Sequence, residues 1–128
     1  MKRCFIIHFK IVGMAHYGFK DGLPFNGIYR LEREPDNRYD HNAVRVCDLK
    51  DGRTVGYFTR SCAKLVKTLF NENLSKNFYC KVKSNLHAVK KMQLCGVGFY
   101  VEDQNINKVE DLLLETGLVI KYLPLKKK

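Results

Sequence analysis

Between Leu31 and Val46 the chain gathers Asp36, Asn37, Tyr39, Asp40 and Asn42 behind Pro35, and this polar cluster is where its residues could do chemistry. Asp and Asn side chains bond to backbone amides one or two residues on, and so stiffen tight turns. Pro35 fixes its own φ and biases Glu34 toward extended backbone. A loop of this composition is expected to be rigid, and a rigid polar loop holding one aromatic ring can present fixed hydrogen-bonding groups to a ligand. Tyr17, Tyr39 and Tyr57 are spread among lysines and arginines. A nucleobase stacked on such a ring gains about 1–3 kcal/mol, while neighbouring cations attract its phosphate. For Tyr17 and Tyr57 the competing reading, packing with only the hydroxyl at the rim, has equal weight. Tyr39, between Arg38 and Asp40, fits that reading less well.

Asp40 is the most informative of these residues. A carboxylate repels phosphate, so its presence in a basic protein asks for a reason. Turn formation, through a bond to the backbone near Asn42, is one. The other is a hydrogen bond from a sugar hydroxyl. A terminal 3′-hydroxyl is a donor, where an internal nucleotide offers only a phosphodiester. One acceptor can then separate a free end from a continuous strand, by attraction to one and repulsion of the other.

Composition points the same way. The chain has 128 residues, 45% of them hydrophobic, and Lys plus Arg number 23 against 13 acidic residues, a formal charge of +10. That length fits one domain, over 1–128, with a core from about 8 to 123 and a basic tail at 124–128. The cationic excess favours a polyanionic partner: DNA, RNA or an acidic membrane surface. Enzyme patterns are missing: there is no Walker A loop, no H-E-x-x-H and no G-x-S-x-G. No catalytic residues, cofactor or metal site are expected, and His8, His16, His41 and His87 share no ligand spacing. Cys4, Cys47, Cys62, Cys80 and Cys95 are odd in number and widely spread. They read as buried, reduced, small apolar residues, which implies a reducing intracellular compartment. The apolar run after Met1 is interrupted by His8 and Lys10, so neither a signal peptide nor a membrane span is expected.

The elements that must hold the cluster follow from periodicity. Phe5, Ile7, Phe9 and Ile11 alternate with Cys4, Ile6, His8 and Lys10, which predicts a strand with the first set on its apolar face. Gly13 ends it, and Met14 to Gly27 reads as a loop with short hairpin character. A strand from Ile28 enters the cluster. Another, 43–48, leaves it with Val44 and Val46 on one face, and returns through a turn at Lys50–Gly52 to Arg53–Phe58. Thr59 or Ser61 would cap a helix carrying Cys62, Leu65, Val66 and Leu69, which Asn71-Glu-Asn73 would stop. Phe78, Cys80 and Val82 alternate in a strand, and a long one with Gly96 and Gly98 spans 92–101. Asn107 and Glu110 resemble a capping box for a second helix ending at Gly117, with a last strand over 118–123. The sum is mainly β (α+β): a small, partly open barrel of the OB or SH3-like kind with two helices.

The run Glu34-Pro-Asp-Asn-Arg-Tyr-Asp-His-Asn-Ala-Val-Arg-Val46 resembles the signature of the HIRAN domain family. The likeness extends to Ile11–Tyr17 and to Thr54–Phe58 with the helix after it. The resemblance implies a β-barrel with two helices, whose pocket captures the 3′-end of single-stranded DNA. Carried over by position, His16, Tyr17, Asn37, Tyr39, Asp40, Tyr57 and Arg60 would form the DNA-binding site. Tyr17 and Tyr39 would pack on terminal bases, and Asp40 would accept from the 3′-hydroxyl. Asn37 would bond the terminal nucleotide or brace the loop, and Arg60 would meet a phosphate at a helix start. Ala15 stands where the family has a basic residue, and Tyr57 where a histidine is often found.

The reading is a non-enzymatic module for single-stranded DNA that prefers a 3′-hydroxyl end and serves repair, replication-fork processing or viral genome maintenance. The chain would be a monomer without membrane contact, acting alongside a helicase or nuclease, as an adaptor or as a fragment of a larger protein. The rivals are a single-strand or RNA-binding barrel without end selectivity, a protein-interaction adaptor, and a metal-dependent nuclease using Asp36 and Asp40.

Overall fold

The computed structural model describes residues 1–71, 76–114, 116 and 118–124. Among these residues seven strands form one antiparallel sheet: β1 (Lys2–Val12), β2 (Ile28–Arg33), β3 (Val44–Cys47), β4 (Thr54–Phe58), β5 (Lys76–Val82), β6 (Gln93–Val101) and β7 (Ile120–Leu123). Helix α1 (Arg60–Asn71) follows β4, and α2 (Ile106–Leu114) lies between β6 and β7. Strand order is β4-β3-β2-β5-β6-β1-β7, with a further pairing of β1 to β4. That pairing closes six strands into a barrel and leaves β7 outside it. The mainly β barrel with two helices forms as expected, but it is closed rather than partly open.

The long β1 makes the closure. One of its edges pairs with β6; the other pairs with β7 over Arg3–Ile6 and with β4 through Ile11↔Phe58 and Val12↔Tyr57. Between these halves lies a bulge: Ile6 opposes Val97 while Phe9 opposes Cys95, so three steps on β1 match two on β6. An extra residue reverses the inward face and bends the strand. His8, exposed and at φ 72°, takes the left-handed conformation there. The inward face is therefore Cys4, Ile6, Phe9 and Ile11, not Phe5, Ile7, Phe9 and Ile11.

The barrel interior is filled by Ile6, Phe9, Ile11, Val44, Val46, Val82, Val97 and Phe99, with Ala63, Val66 and Leu69 of α1 covering one side. Phe78 stacks on Phe99 at 5.3 Å between centroids, and Phe9 tilts against Phe58 at the same distance. Burying each such ring contributes about 1.5–3 kcal/mol. All five cysteines are buried and unpaired. Among the described residues, Gln93 is the buried polar side chain: its Oε1 accepts from Leu23 N at 2.8 Å, and its Nε2 donates to Leu23 O and Ser84 O, both at 2.8 Å. This clamp ties the loop after β1 to β6.

Met14–Tyr17 is a turn of 3-10 helix between Gly13 and Gly18, both at positive φ, instead of hairpin-like loop. Thr59 precedes α1 and its carbonyl accepts from Ala63 N, but its buried hydroxyl makes no hydrogen bond among the described residues, so it is not a side-chain cap. Helix α2 starts at Ile106, after a 3-10 turn at Asp103–Asn105, which places Asn107 inside the helix rather than at its cap. Glu72 and Asn73, Gly117 and the tail from 125 to 128 lie outside the described residues. Among those described, no helix is long and apolar enough to cross a membrane.

Candidate functional site

The polar cluster is the β2–β3 connection, and it is held by its own side chains. Asn37 Oδ1 accepts from the amides of Tyr39 (2.9 Å) and Asp40 (3.1 Å), while Asn37 N donates to Glu34 O at 3.0 Å. Asp40 Oδ1 accepts from Asn42 N at 2.9 Å, and Ala43 N donates to Asp40 O at 3.0 Å. Glu34 N bonds Ala43 O at 2.9 Å, closing the loop at its base, and His41 Nδ1 lies 3.0 Å from Pro35 O. Each of these bonds satisfies a backbone group that would otherwise need water, which is why a loop of this length is ordered.

Glu34 joins the loop to the barrel. Its Oε1 accepts from Tyr57 Oη at 2.8 Å and from Asn37 Nδ2 at 3.1 Å, and its Oε2 lies 3.9 Å from Arg45 Nε. Arg45 in turn donates to Gly52 O (3.2 Å), to Thr54 Oγ1 (3.0 Å) and to Glu32, which also pairs with Arg30 at 2.9 Å. The hydrogen bond from Arg45 holds the Glu32 carboxyl below its usual range. Burial first, then the bond to Glu34 and its charge, raise the Tyr57 hydroxyl well above the ordinary tyrosine value, so it stays a donor.

From Tyr57 an aromatic path runs outward. Tyr17 lies 6.2 Å from Tyr57 between centroids, and His16 meets Tyr17 edge-on at 4.9 Å. Tyr17 is 36% exposed and Tyr39 86% exposed. Arg60, the first residue of α1, donates from Nη2 to Tyr39 O at 3.3 Å, which brings the start of the helix to the loop. The seven residues His16, Tyr17, Asn37, Tyr39, Asp40, Tyr57 and Arg60 are thus linked into one continuous patch, with Glu34 bridging Tyr57 to Asn37.

A pocket of about 530 Å³ opens here, lined by Tyr57, by Arg33 and by the loop from Glu34 to Tyr39. Its size falls within the roughly 300–1,000 Å³ of ligand sites. The carboxylates that line it are Glu34 and Asp36; Asp40 is half-buried beside it, with Oδ1 committed to the turn and Oδ2 without a partner among the described residues. Among the described residues, no three His, Cys, Asp or Glu side chains come together as metal ligands. Glu34 and Arg45 are the residues sequence reasoning passed over. Part of the signal was present: Arg45 faces Glu32 when β2 and β3 pair as a hairpin, and Glu34 lies two residues farther along the chain.

Comparison with known proteins gives a consistent picture. The family model for the HIRAN domain matches residues 5–102, well over half of the chain. The crystal structure of the HIRAN domain of human HLTF superposes with a TM-score of 0.71 at 22% identity, covering 96% of this chain and 98% of that one. The NMR structure of the HLTF HIRAN domain gives 0.67 at 22% identity over 89% of each chain. The same domain in its DNA-bound conformation gives 0.65 at 22% identity over 88% of each. No curated protein sequence matches the chain.

Proposed function

The chain belongs to the HIRAN domain family, and from that premise we propose that it is a DNA-binding module that captures single-stranded DNA with preference for a free 3′-hydroxyl end. The observation that carries the reading is the pocket between Tyr57 and the Glu34–Tyr39 loop, whose polar wall is held in place before any ligand arrives. Preorganisation lowers the ordering cost of binding. Tyr39, exposed at the pocket's rim, and the Tyr17–Tyr57 pair offer ring faces to terminal bases. Arg38 and Arg60 supply positive charge, and the first amides of α1 add to it.

End preference follows from the sign of the loop's charges. Glu34, Asp36 and Asp40 are three carboxylates within one turn of chain. A 3′-hydroxyl brings a donor to them; a 3′-phosphate brings further negative charge. Asp40 Oδ2 has its acceptor capacity open, and Glu34 Oε2 is only loosely engaged by Arg45 at 3.9 Å. Support from outside the chain is the fold it shares with a domain solved in a DNA-bound conformation. The module would work on strand ends in repair, fork processing or viral genome maintenance, together with a helicase or nuclease. Its five free, buried thiols suit a reducing compartment.

Paired anisotropy titrations with oligonucleotides identical except for a 3′-hydroxyl or a 3′-phosphate test this directly. Tighter binding of the hydroxyl form is expected; equal affinities would leave a strand-binding barrel without end selectivity.

A further inference from the structure

The outer face of the barrel carries a second groove, of about 430 Å³, across β5, β6, β1 and β7. Strand alternation builds it. Phe78, Cys80 and Val82 point into the core, so Tyr79, Lys81 and Lys83 point out. On β1, Cys4 and Ile6 point in, and Arg3 and Phe5 face the groove. The register sets one row straight across the sheet: Tyr79 opposes Gly98, Gly98 opposes Phe5, and Phe5 opposes Lys121.

The glycines of β6 form the floor. A Cβ at Gly96 would lie 1.9 Å from Phe5 Cζ, and one at Gly98 would lie 2.2 Å from Tyr79 Cζ. The two rings therefore lie across the bare backbone of β6, with cations on both sides: Lys81 of β5 and Lys83 just after it, and Arg3 and Lys121 from β1 and β7. No carboxylate lines the groove, and none of the four cations is ion-paired among the described residues. Arg3 and Lys83 reach only neutral oxygens, Pro124 O and Asn26 Oδ1, each at 3.5 Å.

Four like charges around one groove repel each other, and a polyanion relieves that repulsion while releasing its own counterions. A simple acidic peptide would satisfy the charges but leave the half-buried Tyr79 ring unused. A single-stranded polynucleotide satisfies both, its phosphates on the flanking cations and a base on the ring. We propose that this groove is a second binding surface for single-stranded nucleic acid, one that grips the sugar–phosphate backbone of continuous strand and needs no end. It is independent of the end-capturing role given to the loop pocket, because the two surfaces share no residue.

The test uses a long oligothymidylate closed by a 3′-phosphate, so that end capture is not read. Its affinity is measured by anisotropy over a range of salt for the wild-type chain and for Lys81→Glu/Lys121→Glu. Affinity is expected to fall roughly tenfold, and the slope of log K on log salt by about two, one for each phosphate contact. A 3′-hydroxyl trinucleotide, whose binding reads end capture, should bind both proteins alike. If the charge reversals impair cooperative thermal unfolding, Lys81→Gln/Lys121→Gln should give the same drop in slope. An unchanged slope overturns the proposal. So does a poly-glutamate peptide that binds the wild type as tightly as the blocked strand and is lost in the same variants, which would make the groove a docking site for acidic protein.

Discussion

The loop pocket and the sheet groove answer the same need, holding a ligand on a basic protein, by opposite means. In the loop pocket the side chains of Glu34 and Asn37 are already bonded to the loop and the barrel, and the carboxylates of Asp36 and Asp40 stand beside them. In the sheet groove the cations have no ion-pair partner among the described residues, and the floor is ring and backbone. A surface whose groups are pre-bonded discriminates, since a ligand must match the few acceptors left open. A surface of unpaired charge attracts broadly and weakens with salt. The difference lies in what positions the side chains: a self-bonded loop in the first case, strand register in the second.

The largest effect should come from filling the floor of the sheet groove. Phe5 is 9% exposed, and a Cβ at Gly96 would force its ring outward. Returning a phenyl ring to water costs about 1.5–3 kcal/mol, so Gly96→Ala should lower stability to urea by roughly 2–3 kcal/mol. Gly98→Ala displaces Tyr79, which is already half in water, and should cost about 1 kcal/mol or less. Equal costs at the two positions would mean that the rings do not lie as described.

In the loop pocket the corresponding break is Asn37→Ala. It removes the acceptor of two backbone amides and one donor to Glu34. Amides left without an acceptor cost about 1–3 kcal/mol when buried and less when water can reach them. Since Tyr39 N is exposed, a loss of about 2 kcal/mol is expected, seen as faster amide exchange at Tyr39 and Asp40. Binding of end-blocked strand, which also has the sheet groove, should fall less than binding of the hydroxyl-ended form.

How much of this was legible in the sequence depended on whether the cause was local. The Asx loop was readable because Asn37 and Asp40 bond to amides two or three residues away. The inward positions Val44 and Val46 of β3 and Cys80 and Val82 of β5 were readable because alternation holds across them, the irregularities falling at Val46/Cys47 and Lys76/Tyr79. The inward face of β1 was not, since the bulge at Ile7–His8 shifts the pattern, and only the partner strand β6 shows that a residue is extra. The closed barrel depends on two residue pairs between β1 and β4 that no local pattern announces. Asn107 satisfied a capping motif, yet α2 follows the 3-10 turn at Asp103–Asn105 and starts at Ile106, two residues before the start that cap implies. Glu34 and Gln93 were missed for the same reason: their partners, Tyr57 for one and Leu23 for the other, are distant in the chain.

A finer contrast lies within the loop pocket itself. Asp40→Ala removes one turn bond and the open Oδ2 acceptor, so preference for the hydroxyl end should fall while affinity for the strand changes less. Arg60→Ala should do the reverse, weakening both ends alike and flattening the salt slope by about one. Because Arg60 also bonds Tyr39 O, Arg60→Lys separates the two roles: charge is kept and the slope restored, while any loosening of the loop remains. If Arg60→Ala left the slope unchanged, the phosphate path would not pass the start of α1.

The smallest effect concerns the proton on Tyr57. Its folded-state value is raised, first by burial and next by Glu34, so between the ordinary tyrosine value near 10 and the folded one the native state holds a proton that the unfolded chain releases. The stability it contributes is therefore complete below about pH 10 and is lost as pH rises beyond that. Glu34→Gln keeps an acceptor but removes the charge, and should bring the Tyr57 titration down part of the way, with burial holding the remainder. Tyr122 serves as the control: it is pushed up to about 12 by burial first and then by Glu110, and has no contact with the loop. Ultraviolet titration of phenolate, assigned with Tyr57→Phe, reads both groups at once. A Tyr57 midpoint unmoved by Glu34→Gln would show that burial alone sets it, and that Glu34 is free to take a ligand's hydroxyl instead of guarding the tyrosine's.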